Sequence, residues 1–189
     1  MERLIIKSVR LTKGAIDDYV QCTHAVLDHD LGDIVTINIS CPNLFDGDPF
    51  TSPERLQMLL KPLMELDYGK RPVFLKMPIN LLWDEFKGLL DVALEYGVDA
   101  VIIGNLNKDY KDPSMKEAVS ENAKGALSGK ATWRLSNDLI SQTYQYCGDR
   151  IKIIGVGGIF NAHDAYEKIK RGSSLVQLIT GMVFEGPQL

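Results

Sequence analysis

The stretch RIKIIGVGGIFNAHDAYEKIKRGSSLVQLITG, residues 150–181, contains a complete strand–helix–strand pattern. A β-type apolar run at 150–158 ends in two glycines, a helical pattern follows at 162–171, and a second β-type run covers 174–181. A connection of this kind joins neighbouring parallel strands through a right-handed crossover. The stretch therefore predicts an α/β fold with a parallel sheet.

The same alternation extends through the rest of the chain. Further strands are predicted at 4–9, 33–39, 72–77 and 99–104, and further helices at 15–29, after Ser52, at 82–96 and at 133–147. Ser52 offers an N-cap, Pro53 a first helical position and Glu54 a favourable charge in the first turn. Residues 105–132 have no strong periodicity, which is typical of a functional lid or a mobile segment. With no linker along the chain, we expect a single domain over 1–189.

Two architectures fit this pattern. The polar and glycine residues stand at the carboxyl ends of the predicted strands, where a (β/α)8 TIM barrel builds its active site. An open doubly wound sheet also binds its ligands beyond those ends. The pattern suits the barrel without excluding the open sheet.

Composition argues against several classes of function. The 189 residues are 45% hydrophobic and 24% charged with a net charge of −4, so the basic excess of a nucleic-acid binder is missing. No apolar run reaches the roughly 18 residues of a membrane span. Cys22, Cys41 and Cys147 form no CxxC pair, which argues against a zinc site or a disulfide framework and favours reduced cytosolic thiols.

Two glycine-containing strand ends are candidates for phosphate binding. Gly157 and Gly158 follow one strand, and Ile179-Thr180-Gly181 ends the next. Bare backbone N–H groups can approach a phosphate closely, although such glycines also form simple tight turns. Ser128-Gly129 has the same two interpretations, a loop turn or a further backbone contact.

Polar side chains mark the earlier strand ends. Lys76 is either a lysine whose stem packs at a strand end or a cation placed beside a ligand that becomes anionic. Asn38, Asn43 and Asn105 carry amides that donate and accept hydrogen bonds. Because strand interiors disfavour asparagine, Asn38 needs a partner, which is either a neighbouring backbone group or a ligand.

Cys41 is the candidate reactive group. It precedes proline at a strand end, in a loop rich in turn-forming residues, and a thiol can act as a nucleophile or a general base. A nucleophilic cysteine needs a histidine, but His24 and His29 lie on a predicted outer helix and His163 lies beyond the other rim. The arrangement favours proton abstraction over acyl transfer.

Seven motifs together resemble dihydroorotate dehydrogenase. They are INISCPN, VFLKMP, VIIGN, GALSGK, IIGVGGI, DAYEKI and GSSLVQLITGMVFEGPQL, in the family's order and spacing. The tail is most similar to the quinone-linked class, whose fold is a (β/α)8 barrel with FMN at its carboxyl rim.

The resemblance implies a role for each matched position. Cys41 takes the place of the catalytic base that removes a proton from C5 of dihydroorotate, while hydride leaves C6 for FMN. Lys76 lies by the flavin ring, Asn43 and Asn105 bind substrate, and Asn38 contacts both. The FMN site is lined by Gly129, Gly157, Gly158, Ile179 and Thr180.

The resemblance also implies partners and location. The electron acceptor is expected to be a quinone, with fumarate or NAD as alternatives because cysteine at the base position is usual in the soluble classes. The expected location is the cytoplasm, with the inner-membrane surface as the alternative for a full-length quinone-linked enzyme. No nucleic-acid partner is expected.

The motifs begin near the family's third strand. This implies a barrel truncated at its N-terminus, covering about strands 3–8. Such a chain would be active only with a homo-oligomeric or complementing chain. The alternative is an inactive fragment that binds only a phosphate ligand or a partner chain.

Overall fold

A computed structural model describes residues 13–40, 50–111 and 125–189 of the chain, with the side chain of Lys13 left out. Its sheet has five strands, all parallel. They are β1 (Val35–Asn38), β2 (Val73–Met77), β3 (Ala100–Ile103), β4 (Lys152–Val156) and β5 (Leu175–Gln177).

In the described residues, six α-helices connect and flank these strands. They are α1 (Lys13–Asp28), α2 (Pro53–Met64), α3 (Trp83–Glu95), α4 (Trp133–Cys147), α5 (Ala162–Lys170) and α6 (Thr180–Glu185). Short 3-10 turns at Gly129–Thr132 and Gly148–Arg150 flank α4. The start of α2 follows its sequence signals, because the Ser52 hydroxyl accepts from the N–H of Arg55 at 3.5 Å.

Strand order decides between the two architectures. The strands lie in the sheet in the order β1-β2-β3-β4-β5, the same as their order in the chain. A doubly wound sheet reverses direction at a switch point, whereas successive right-handed crossovers in one direction keep every helix on one face. The observed order is that of a barrel wall.

The two faces of the sheet are packed differently. One face, which includes Leu75 and Val101, joins the fully buried Leu56 and Leu60 of α2 and Phe86 of α3 in a large apolar core. The opposite face has a small cluster of Ala100, Ile102 and Ile154, with Phe74 and Val156 beside it. Lys76 alternates with Leu75 and Met77 along β2, so it belongs to this second, inner face.

Most predicted elements are confirmed, with one correction. The run 174–181 was expected to be strand throughout, but β5 ends at Gln177 and α6 begins at Thr180. Apolar β-branched residues favoured a longer strand, but the chain continues into α6, where Gly181 packs closely against the Ile159 carbonyl. The predicted strand at 4–9 and residues 112–124 of the aperiodic segment 105–132 lie outside the described residues.

Candidate active site

The tips of β1, β2 and β3 carry three polar side chains at one edge of the sheet. Asn38 is in register with Lys76, and Lys76 is in register with Ile102, three residues before Asn105. Parallel strands end together, so these positions lie side by side without being close in sequence.

Ser40 joins these tips through hydrogen bonds. Its N–H donates to Asn38 Oδ1 at 3.2 Å, and its hydroxyl lies 3.2 Å from both Asn38 Oδ1 and the Lys76 carbonyl. Asn105 Nδ2 donates to the carbonyl and to the hydroxyl of Ser40, each at 2.7 Å. The hydroxyl of Tyr19, on α1, donates to the Asn38 carbonyl at 2.7 Å and so holds the end of β1 in place. Sequence analysis missed Ser40, which is buried.

Lys76 supplies a positive charge at this edge. Its side chain is partly buried, and this burial lowers the pKa of the ammonium below its ordinary value. Within 13–40, 50–111 and 125–189, no carboxylate pairs with it. A cation held without a neutralising partner suits a ligand that is itself anionic.

Asn107 secures the loop that follows β3. It is fully buried, and its Oδ1 accepts from Asn80 Nδ2 at 2.8 Å while its Nδ2 donates to the Ala131 carbonyl at 3.0 Å. Its backbone also pairs with that of Leu127 in an isolated antiparallel bridge. One amide therefore ties the loops after β2 and β3 to the turn that carries Gly129.

The tip of β4 contains glycines that pack closely against the start of α4. Gly157 and Gly158 have φ values of +103° and +74°, which favour glycine. A Cβ at 157 would lie 2.3 Å from Thr132 Oγ1, and one at 158 would lie 2.5 Å from Trp133 Cβ. The glycines thus let the β4 loop lie directly on the start of α4.

Asp164 of α5 braces this glycine loop. Its carboxylate accepts from the N–H of Phe160 at 2.9 Å and from Lys130 Nζ at 2.5 Å, while Asn161 Oδ1 caps the helix by accepting from the N–H of Asp164. Burial alone would raise the pKa of Asp164, but the hydrogen bonds from Lys130 and Phe160 outweigh it and the pKa is lowered. The turn at 129–132 and the loop after β4 are therefore joined by one carboxylate.

The tips of β2, β3, β4 and β5 line a single cleft with about 440 Å³ of empty space. Its wall includes nine of the residues singled out from the sequence: Lys76, Asn105, Ser128, Gly129, Gly157, Gly158, Ile179, Thr180 and Gly181. Asn38 joins them through Ser40. Cys41 and Asn43 lie outside the described residues. Leu106 and Thr132 also line the cleft but carried no signal in the sequence, since each depends on how the loops fold back.

A second groove lies on the helical side. It has about 650 Å³ of empty space between α4 and α5, and its charged groups pair with one another, as Arg171 does with Glu167 at 3.4 Å. None of the strand-tip residues lines it, so we assign it no part in the site.

Sequential parallel strands and a cleft at their carboxyl ends define a protein of the (β/α)-barrel class. Within that class, the sequence profile of the dihydroorotate dehydrogenase family matches residues 2–189, and the chain belongs to this family.

Two bacterial relatives illustrate the match. The dihydroorotate dehydrogenase (quinone) of Legionella pneumophila strain Lens is 35% identical over 192 residues, covering 97% of this chain and 56% of the relative. That of Myxococcus xanthus is 36% identical over 179 residues, covering 92% and 47%. The chain thus spans about half the length of the curated relatives it matches.

A solved structure agrees. The dihydroorotate dehydrogenase of Eimeria tenella in complex with ferulenol superimposes with a TM-score of 0.82 at 26% identity, covering 96% of this chain and 52% of that one. These neighbours are TIM barrels, and the α/β fold with a parallel sheet is confirmed as part of such a barrel. In the part of the chain that the structure describes, no helix is long and apolar enough to cross a membrane.

Proposed function

We propose that this chain carries out the FMN-dependent oxidation of dihydroorotate to orotate in de novo pyrimidine (UMP) biosynthesis. The observation that carries the proposal is the single cleft, where Lys76 and Asn105 meet the glycine tips of β4 and its neighbouring turn. Relatives named dihydroorotate dehydrogenase (quinone) support the reaction and favour a quinone as the electron acceptor, with fumarate or NAD as the alternatives.

The residues present fit FMN. Consecutive positive φ angles at Gly157 and Gly158 form the kind of concave backbone turn whose N–H groups bind phosphate. Gly129, also at positive φ, lies directly beside Thr180 in the wall of the cleft, where a Cβ would lie 3.0 Å from the threonine methyl. Side chains at these glycines would collide with Thr132, Trp133 and Thr180, so this backbone turn needs glycine to keep its shape. Ile179 and Thr180 complete this part of the wall.

The remaining residues would serve the ring chemistry. FMN, when bound, would accept the hydride that leaves C6 of dihydroorotate. The Cys41 thiolate would take the proton from C5, and the electron pair of that C–H bond would form the new C5=C6 double bond. Lys76 would place its positive charge beside the flavin. Asn38, Asn43 and Asn105 would hold the substrate ring by hydrogen bonds.

Substitution of Cys41 tests this function. The purified protein should absorb near 450 nm, an approximate property of flavins, and dihydroorotate should bleach that band. Cys41→Ala should keep FMN but lose the bleaching, because no base remains to take the C5 proton. Cys41→Ser should shift activity to higher pH, since a hydroxyl is the poorer base near neutrality. Cys22→Ala, a half-buried thiol of α1, is the matched control. Unchanged bleaching in Cys41→Ala would overturn the role of Cys41.

A second candidate is binding without turnover. The chain matches only about half the length of its relatives, so the described cleft could hold a phosphate ligand without a complete substrate site. In that case FMN or inorganic phosphate would raise the unfolding temperature, and dihydroorotate would leave the flavin band unchanged.

A further inference from the structure

We propose that Ser40 is a positioning residue that gives Asn38 and Asn105 opposite hydrogen-bonding polarity toward the substrate. This inference rests on the proposed function for the identity of the ligand, while its structural part stands on the hydrogen bonds alone.

Backbone chemistry decides which way each amide is turned. The Ser40 N–H can only donate, so the atom of Asn38 that meets it at 3.2 Å must be the carbonyl oxygen. The Ser40 carbonyl can only accept, so the atom of Asn105 that meets it at 2.7 Å must be the amide nitrogen.

The Ser40 hydroxyl couples the two amides. A hydroxyl has one proton and two lone pairs, so it can accept from Asn105 Nδ2 at 2.7 Å while its proton is shared between Asn38 Oδ1 and the Lys76 carbonyl, each at 3.2 Å. Among the described residues, the amide of Asn38 is engaged through its oxygen and that of Asn105 through its nitrogen. Asn38 therefore keeps N–H groups to donate, and Asn105 keeps a carbonyl oxygen to accept.

A donor and an acceptor fixed at neighbouring strand tips select a particular ligand chemistry. They fit a planar ring whose edge carries both a carbonyl and an N–H group, such as a cyclic amide or imide. A free asparagine could rotate to suit a ring with only one of these groups, whereas a coupled pair cannot do so without breaking bonds to buried Ser40. Ser40 thus contributes to specificity without having to touch the ligand.

The test compares Ser40→Ala with two further variants. Ser40→Thr keeps the hydroxyl, and Ser40→Cys keeps the volume with a much weaker donor. The matched control is Ser136→Ala, a buried serine whose hydroxyl lies 2.7 Å from the Val156 carbonyl and 3.1 Å from the Ile103 carbonyl and forms no hydrogen bond with either amide.

The first measurement needs no ligand. Hydrogen exchange of the Asn105 side-chain amide, followed by NMR in the 189-residue protein, should accelerate about tenfold in Ser40→Ala and Ser40→Cys, as expected for one lost hydrogen bond. Ser40→Thr should restore slow exchange, and Ser136→Ala should leave it unchanged. Unchanged exchange in folded Ser40→Ala and Ser40→Cys would overturn the proposal whether or not flavin binds.

The second measurement separates substrate from cofactor. Ser40→Ala should raise the Kd for orotate about tenfold and the Kd for FMN by a smaller factor, because Asn105 contacts only the substrate whereas Asn38 contacts both ligands. Equal losses for both ligands would indicate a merely structural role, and an unchanged orotate Kd would overturn the role in specificity. If the unsubstituted protein binds neither ligand, the proposed function fails while the amide exchange still decides the role of Ser40.

Discussion

The strand tips on the two sides of the cleft contribute different things. On the side of β1 to β3, the site is made of side chains: Asn38, Lys76 and Asn105, linked by Ser40. On the side of β4, it is made of backbone, with Gly157 and Gly158 packed on the start of α4. The first side offers charge and hydrogen-bonding polarity, and the second offers shape.

This difference predicts two kinds of sensitivity. Removing a side chain from the first side should impair chemistry and spare the fold. Adding a side chain to the second should impair the fold and the phosphate site together. The four predictions below test this distinction, from the largest expected effect to the smallest.

Gly158→Ala should lower the free energy of unfolding by about 3 kcal/mol, because it combines strain at positive φ with overpacking. Its Cβ would lie 2.5 Å from Trp133 Cβ and 2.9 Å from Trp133 Cα. Urea unfolding measures the loss. Gly97→Ala is the control, since Gly97 has a similar φ of +69° and nothing within 4 Å of its would-be Cβ. Equal losses in the two variants would show that strain alone matters.

Lys76→Met should slow flavin reduction by dihydroorotate about 100-fold, because it removes the cation from the cleft. The same change should leave stability equal or greater, since a partly buried ammonium with a lowered pKa is no longer desolvated. Stopped-flow absorbance measures the rate, and urea unfolding measures the stability. Lys152→Met removes an exposed lysine from the opposite end of β4 and should change neither. An unchanged rate of flavin reduction in Lys76→Met would show that the positive charge of Lys76 does not contribute to the reaction.

Lys168 of α5 is a buried charge behind the glycine side. Its Nζ donates to Ser136 Oγ at 3.0 Å and to Asn137 Oδ1 at 2.9 Å, and burial lowers its pKa from 10.5 to about 8 despite the nearby Asp164. Between those values the unfolded chain holds a proton that the folded protein has lost. Stability should therefore rise with pH from 8 to 10, by about 2 kcal/mol.

Comparison with Lys168→Met isolates this effect. Two other buried groups titrate in both proteins, so their effects cancel in the difference. Burial raises the pKa of Tyr68 to about 12, and it is the main cause of the raised pKa of Cys147. The variant should lack the rise seen in the unsubstituted protein. Parallel pH profiles would show that the Lys168 ammonium titrates normally in the fold.

Asp164→Asn should cost about 0.5 kcal/mol at neutral pH, because its partner Lys130 is more than half exposed. The side-chain oxygen of the introduced asparagine can still accept from the Phe160 N–H, so the hydrogen bond that holds the glycine loop is kept. Because folding lowers the pKa of the Asp164 carboxyl, the ionised carboxylate stabilises the folded protein above the unfolded-state pKa of 3.8. This stabilisation is lost as the pH falls through the lower pKa of the folded state. Acid unfolding curves should therefore separate the two proteins near neutrality and converge at low pH. A loss of unfolding free energy several times larger would mean that the conformation of the glycine loop also depends on the charge of Asp164.

Local sequence determined the elements and most of the candidate residues. Periodicity placed α3 and α4 within a residue of their observed ends, and Leu56, Leu59, Leu60 and Leu63 are buried as their helical spacing predicts. These features depend on neighbours in the chain, through side-chain spacing and capping. The strand ends with their polar and glycine residues were visible for the same reason.

Tertiary structure decided what depends on distant partners. The sequential strand order chose the barrel wall over the doubly wound sheet, and the alternation of β2 put Lys76 on the inner face. β5 ends at Gln177, and Gly181 packs closely on the Ile159 carbonyl, a long-range contact that no local pattern reveals. Ser40, Asn107 and Asp164 became visible only through bonds to groups 24 to 65 residues away, because hydrogen-bond partners are set by the fold.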